Sequence, residues 1–204
     1  MRVVSGEARG RKLKSPRTAG TRPILDRVKT ALFDTLSTRV EDTRFLDLFA
    51  GTGGVGIEAL SRGAASATFI EMNASMLKLV RENLQITGLA ERAETLHTDA
   101  FKFLQARSGE KKRTDGIPYD IVYVAPPQYK GMAARALKSL DSSPLVAATG
   151  LVIVQLHPRE RAEVAAVALS RLALADERRY GSTLLMFYEA NRKKDSNVDT
   201  TTET

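Results

Sequence analysis

Between residues 44 and 156 short apolar runs take turns with stretches of helical periodicity, and few folds admit that alternation. Strands are expected at 44–49, 67–71, 93–97, 119–124 and 151–156, with helices at 55–62, 74–87, 100–107 and 132–140 between them. Parallel strands must be joined by crossovers, and the crossover helices then cover both faces of the sheet. Ligands of such sheets bind beyond the carboxyl ends of the strands, so the site is expected there. A further helix is expected from Asp26, which reads as its N-cap, with Val28, Ala31, Leu32 and Leu36 on one face. Residues 171–175 and 183–189 break the alternation. They read as two strands with no room for a crossover, so they must pair antiparallel. Stripes of Leu, Ala and Val over residues 164–174 read as ordinary core.

At 204 residues the chain is long enough for one core. The absence of cysteine excludes disulfide scaffolds, thiolate zinc sites and cysteine nucleophiles. There is no apolar run of about 18 residues and no secretion leader, so a cytoplasmic place is expected, with a plastid stroma as the organellar alternative. The formal net charge is +7, and residues 1–30 account for all of it. Arg2, Arg9, Arg11, Lys12, Lys14, Arg17, Arg22, Arg27 and Lys29 stand there against Glu7 and Asp26. Concentrated charge of this kind is a polyanion footprint, and a solvated arm is the plain alternative. Residues 1–16 alternate weakly around Gly6 and Gly10 and read as a short hairpin, an arm apart from the core. The expected organisation is a basic arm at 1–25, a catalytic domain at 26–190 and a disordered polar tail at 191–204, with a polar loop at 108–116.

The sharpest motif runs from Phe45 through Gly51, Gly53, Gly54 and Gly56 into an amphipathic stretch. Glycines allow a tight turn and close approach of a ligand to the backbone, and the free N–H groups of the next helix add polar contacts. Glu71 stands twenty positions beyond Gly51, placed to accept ribose hydroxyls, a need shared by dinucleotides and S-adenosylmethionine. Asp47, just before the glycines, would repel a pyrophosphate but favours the ammonium and sulfonium of S-adenosylmethionine. Asp99 could accept from an adenine amine, with Ala100 and Phe101 as apolar surface. Phe49, Thr52 and Met72 join the expected cofactor set, and Arg22 could reach the cofactor carboxylate, an RNA phosphate or Asp26. The alternatives are that Asp47 caps a loop, Asp99 caps a helix and Glu71 is surface charge. A parallel sheet closed by an antiparallel hairpin resembles the class I S-adenosylmethionine-dependent methyltransferase fold: α/β, with a Rossmann-like sheet.

The fourth strand ends in Ala125-Pro126-Pro127-Gln128-Tyr129, which resembles the [D/N]-P-P-[Y/F] motif of methyltransferases acting on planar amines. There an acid or amide and a proline carbonyl accept from the amine while the aromatic ring stacks on the base. From Met1 to about Ala190 the chain resembles the RsmD family, which methylates a guanine N2 of small-subunit (16S) ribosomal RNA. The blocks that carry this are R-x-x-S-G with R-G-R-x-L (2–13), T-R-P with D-R-V (21–28), A-L-F (31–33), F-L-D-L-F-A-G-T-G (45–53), G-I-E-A-L-S-R-G-A (56–64) and R-x-Y-G-x-T-x-L-x-F-Y (178–188). The resemblance implies S-adenosylmethionine as cofactor and ribosomal RNA or a small-subunit assembly intermediate as partner. It leads to the expectation of a monomer with no membrane contact, whose arm cations Arg2, Arg9, Arg11, Lys12, Lys14 and Arg17 grip phosphates.

The chain departs from the family at Ala125, where an aspartate is usual, and Tyr129 comes one place late. Either Gln128 or the Pro126 carbonyl holds the amine while Tyr129 stacks after a loop adjustment, or catalysis is weak, or the substrate has changed. The first is favoured, since the Pro-Pro pair, a nearby aromatic, the cofactor residues and the basic arm are all retained. His97 and His157 have no cluster of ligating neighbours, so no metal is expected, and neither reads as catalytic. The rivals are a methyltransferase for protein glutamine or a small molecule, a non-catalytic RNA-binding assembly factor, and a dehydrogenase.

Overall fold

In the computed structural model, residues 1–16, 26–108 and 118–190 are described. Arg17, Arg22, most of the 108–116 loop and the 191–204 tail lie outside the described residues. The elements are α1 (Asp26–Leu36), a 3-10 turn (Ser37–Val40), β1 (Arg44–Asp47), α2 (Gly54–Ser61), β2 (Ser66–Glu71), α3 (Ala74–Thr87), β3 (Ala93–His97), α4 (Ala100–Ser108) and β4 (Tyr119–Val124). They continue with α5 (Met132–Asp141), β5 (Val146–Leu156), a 3-10 turn (Pro158–Glu160), α6 (Arg161–Ala165), β6 (Leu172–Tyr180) and β7 (Thr183–Ala190). The seven strands form one sheet in the order β3-β2-β1-β4-β5-β7-β6. The first five are parallel; β7 runs antiparallel to both β5 and β6. The second strand of the hairpin thus slots between β5 and the first, an order that a strand pattern does not contain.

Each face of the sheet has its own core. Phe45, Phe69, Tyr123 and Leu185 pack with α1, α2 and α3 on one side, whereas Leu46, Val122, Val152 and Met186 pack with α4 and α5 on the other. Neighbouring strand residues point to opposite faces, so strands covered on both sides read as unbroken apolar runs. α3 is sharply bounded. The Asn73 side chain accepts from the Ser75 and Met76 N–H groups at 2.9 and 3.2 Å, and Gly88 ends the helix in the left-handed region at φ 76°.

Three readings from sequence are corrected. The first concerns residues 1–16. Val3 N–H to Arg11 C=O (3.0 Å), Gly10 N–H to Val3 C=O (2.9 Å) and Leu13 N–H to Met1 C=O (3.0 Å) do make a hairpin, but it does not stand apart from the core. Val3, Ala8 and Leu13 are buried in the core of the first face. Glu58 of α2, itself fully buried, accepts from the Val4 and Ser5 N–H groups at 2.8 and 2.9 Å and pairs with buried Lys29 of α1 at 3.0 Å. Lys29 also donates to the Arg2 carbonyl at 2.6 Å. A buried ion pair needs its remaining donors and acceptors satisfied, and the main chain of the hairpin satisfies them. Second, β6 runs to Tyr180, so residues taken as a connection are strand. Its charged, exposed side chains are those of a guarded sheet edge. Third, the stripe at 164–174 is not uniformly core: Val164 and Leu172 are buried, but Ala165, Ala166, Ala168 and Leu174 are exposed. Asp26 opens α1 as its first residue, and its carboxylate lies 3.8 Å from Arg2 Nε.

Candidate active site

Successive strand ends converge on the carboxyl edge of the sheet around a cavity of about 680 Å³. The size suits a small-molecule cofactor. The end formed by β1 to β3 is built from carboxylates tied to the backbone. Glu71, at the end of β2, accepts from the Gly51 N–H through Oε2 and the Asn73 N–H through Oε1, both at 2.8 Å, so one side chain fixes the glycine loop and the next turn together. Asp99 does two things. Through Oδ1 it caps α4, accepting from the Phe101 and Lys102 N–H groups at 2.9 and 3.0 Å, and it also lines the cavity. Met72, 66% exposed, and Ala100 add apolar wall.

The glycine loop folds over its own strand. Leu48, Phe49 and Gly51 line the cavity, while Asp47, Thr52 and Gly53 lie behind the wall and not on it as expected from sequence. Asp47 Oδ2 accepts from the Gly56 N–H at 3.1 Å, and Oδ1 is buried without a hydrogen-bond partner among the described residues. Burial pushes this carboxyl up to about 7, against the pull of the Gly56 N–H, and the nearby Glu71 charge adds to the rise. The loop rests on α3 through Asn83, whose Nδ2 donates to the Thr52 and Lys14 carbonyls at 3.0 and 3.1 Å. Gly56 is where α2 crosses β2. A Cβ there would meet the Phe69 ring at 2.4 Å, so only glycine permits this approach.

The opposite end is formed by Ala125 to Tyr129, Met132, Gln155, His157 and the β6–β7 turn at Ser182 and Thr183. Tyr129 sits in the left-handed region at φ 60°, uncommon for a side chain of its size. Its N–H donates at 2.8 Å to Oε1 of Glu160, a buried carboxylate whose Oε2 accepts from the His157 N–H at 3.3 Å. The Tyr129 ring, 60% exposed, packs on the His157 ring with centroids 5.3 Å apart. This backbone twist lets a tyrosine one place late in the chain still line the cavity. Gln128 lines it too and makes no hydrogen bond among the described residues. Gln155, Oε1 of which accepts from the buried Tyr123 hydroxyl at 2.5 Å, and His157 were not foreseen; a strand end followed by His-Pro carries no motif, and only the fold brings it to the site.

Of the described side chains on this wall, Glu71 and Asp99 carry formal charge, and no Lys or Arg is present. A pyrophosphate would face two carboxylates without a counter-charge, whereas a cationic ligand is attracted to both. The reversed β7, the glycine loop and this anionic cleft define the class I S-adenosylmethionine-dependent methyltransferase fold.

The chain belongs to the RsmD family, whose model, described as conserved hypothetical protein 95, matches residues 1–189. Ribosomal RNA small subunit methyltransferase D of Escherichia coli strain K12 is 37% identical over 155 residues, which cover 76% of this chain and 74% of that one. The solved structure of Escherichia coli yhhF is 31% identical with a TM-score of 0.78, covering 95% of this chain and 99% of the other. An RNA methyltransferase from Salinibacter ruber in complex with S-adenosyl-L-homocysteine shares the fold at 16% identity and a TM-score of 0.60, over 87% of this chain and 99% of its own.

Proposed function

We propose that the chain transfers the methyl group of S-adenosylmethionine to the exocyclic N2 amine of a guanine in small-subunit ribosomal RNA. The observation that carries this is the asymmetry of the cavity: carboxylates without counter-cations at one end, exposed rings and amide groups at the other. The residues fit the cofactor. Glu71 and Asp99 are acceptors for hydroxyl and amine groups, Met72 and Ala100 supply apolar wall, and Asp47 holds a buried oxygen under the loop that has no hydrogen-bond partner among the described residues. Bound S-adenosylmethionine supplies an electrophilic methyl on a sulfonium.

The chain's own work is orientation. The lone pair of a guanine amine is delocalised into the ring, so fixed acceptors must aim it, and alignment of this kind accounts for much of a transfer rate. The Pro126 carbonyl and the Gln128 amide oxygen accept from the amine, Tyr129 stacks on the base, and the cavity admits a nucleotide turned out of its helix. The N–C bond forms as the S–C bond breaks, and the amine proton leaves to water, so no general base is required. The hairpin cations Arg2, Arg9, Arg11, Lys12 and Lys14, all exposed, together with Arg17, hold phosphates. By the same reading the chain works in the cytoplasm as a monomer, on free RNA or on an assembly intermediate; no helix among the described residues is long and apolar enough to cross a membrane.

The test incubates undermethylated small subunits with the protein and a labelled methyl donor and identifies the product nucleoside by mass spectrometry. N2-methylguanosine is expected. Label in another nucleoside, or in protein, would overturn the guanine assignment, and binding of NADH in place of the methyl donor would overturn the whole reading.

A further inference from the structure

The neutral part of the chain hides a second basic surface. Many exposed cations outside the hairpin are matched to acids: Arg39 to Glu189 and Arg161 to Glu177 at 3.0 Å, and Arg178 to Asp176 at 2.8 Å. Lys102, Lys130, Arg135 and Arg159 are also exposed, yet none pairs with a carboxylate among the described residues. All four stand within three places of a residue that lines the cavity. Lys102 follows Asp99 and Ala100 of the cavity wall, Lys130 lies between Tyr129 and Met132 of that wall, and Arg159 comes two places after His157. The guanidinium of Arg135 lies 3.8 Å over the Phe101 ring, and that ring meets Phe49 of the wall edge-on at 6.1 Å. Carboxylates stand nearby as well, Asp99 on the wall, Glu160 under Tyr129 and Glu163 against Gly131, but Asp99 and Glu160 are taken up by backbone N–H groups, and none of the three pairs with these cations among the described residues.

This surface and the hairpin lie on opposite faces of the sheet. Arg11 donates to the Ile86 carbonyl at 3.2 Å and Lys14 pairs with Glu82 at 2.8 Å, both on α3 of the first face. The four cations instead ride on α4, the loop from β4 to α5, α5 itself and the turn after β5, and α4 and α5 cover the second face. The cavity opens on the edge between them. A ligand that touches both must span the sheet edge and carry repeated negative charge, as an RNA strand does. A base drawn out of its stack leaves its flanking phosphates at the mouth of the pocket that receives it. Stacking on Phe101 also holds the Arg135 guanidinium in place while its edge stays free for a phosphate.

We propose that Lys102, Lys130, Arg135 and Arg159 form a second phosphate-binding rim, which takes the RNA backbone beside the target nucleotide while the hairpin takes a stretch further along. The inference rests on the reading of RNA as substrate and extends it to the other face of the molecule. Its test compares wild type with the quadruple variant Lys102→Gln, Lys130→Gln, Arg135→Gln, Arg159→Gln, using an unmodified small-subunit ribosomal RNA transcript. Affinity is measured against salt, and KM for the methyl donor alongside. Each lost contact lowers the slope of log affinity against log salt by about 0.7–0.9, so a fall of about 3 is expected, with the donor KM and thermal unfolding unchanged. Arg39→Gln, at the other end of the sheet, should leave the slope as in wild type. An unchanged slope in the quadruple variant would overturn the rim. So would a loss confined to intact subunits with naked RNA bound normally, because the partner would then be a ribosomal protein. If wild type binds RNA in the expected way but transfers no methyl group, the catalytic reading fails and the rim stands.

Discussion

The two ends of the cavity are held by different means. At the cofactor end, Glu71 and Asp99 bind N–H groups within the same strand-to-helix turns or the neighbouring loop, and the glycine loop is held to α3 by buried Asn83. At the acceptor end, Tyr129 keeps an unfavourable backbone conformation because Glu160, from a segment thirty-one residues further on, accepts its N–H. The first end is rigid by local construction and by depth. The second is exposed, and its shape depends on one long-range hydrogen bond. A cofactor common to many enzymes can be met by a standard cradle, whereas the acceptor pocket must follow its substrate, and by the proposed reading it works with a shifted motif.

That contrast can be broken in several places. The largest effect is expected from Lys29→Ala, which leaves fully buried Glu58 with Arg62 as its remaining cation and takes a donor from the Arg2 carbonyl; breaking a buried pair costs about 3–5 kcal/mol, of which Arg62 offsets a part. Thermal unfolding should shift sharply, and a variant as stable as wild type would show that the foundation is not electrostatic. Asp47→Asn comes next. The Asp47 carboxyl titrates near 7 in the folded chain, above its ordinary range, so the folded state holds a proton that the unfolded state has lost. Stability should therefore fall as pH rises from about 4 to about 7, by up to a few kcal/mol, and level off above. Denaturant titrations of Asp47→Asn should lack that slope. Glu71→Ala should weaken binding of the methyl donor about 10²-fold by calorimetry, since it removes a charged acceptor and frees the glycine loop.

The acceptor end should respond differently. Glu160→Ala should lower kcat/KM for RNA about tenfold, while donor affinity stays as in wild type, because it loosens Tyr129 and His157, both at the acceptor end. A parallel loss of donor affinity would erase the proposed division between the ends. Ala125→Asp, which installs the residue usual in the family, should change turnover least, by about threefold or less, if Gln128 and the Pro126 carbonyl already aim the amine. A gain of about 10²-fold would mean that the shifted motif is an impaired one.

The same contrast explains what could be read from the sequence. β3, β4 and α3 appear at the expected residues because their signals are local: apolar runs in the strands, an asparagine cap and a terminal glycine in the helix. Glu71 and Asp99 were legible as carboxylates at the cavity because each lies at or just after the end of a strand. Asp47 was legible as a carboxylate but not as a buried one, since only the fold of the loop back over β1 places it behind the wall. The start of β5 at Val146 was hidden by Ala147, Ala148, Thr149 and Gly150, which show no alternation, and its pairing with β4 is irregular there. Gln155, His157 and Glu160 were illegible as site residues, because their roles arise when β5 is laid beside β4, a long-range event without a local signature.

The anchorage of the hairpin also bears on how the chain acquires its structure. Val4 and Ser5 are made well before the partner they share, Glu58, which follows 54 and 53 positions later. Until α2 has emerged, the hairpin backbone lacks the buried carboxylate that holds its Val4 and Ser5 N–H groups. Contacts so far apart in sequence slow folding. The first strand of the protein to be made is thus among the last to be fastened down.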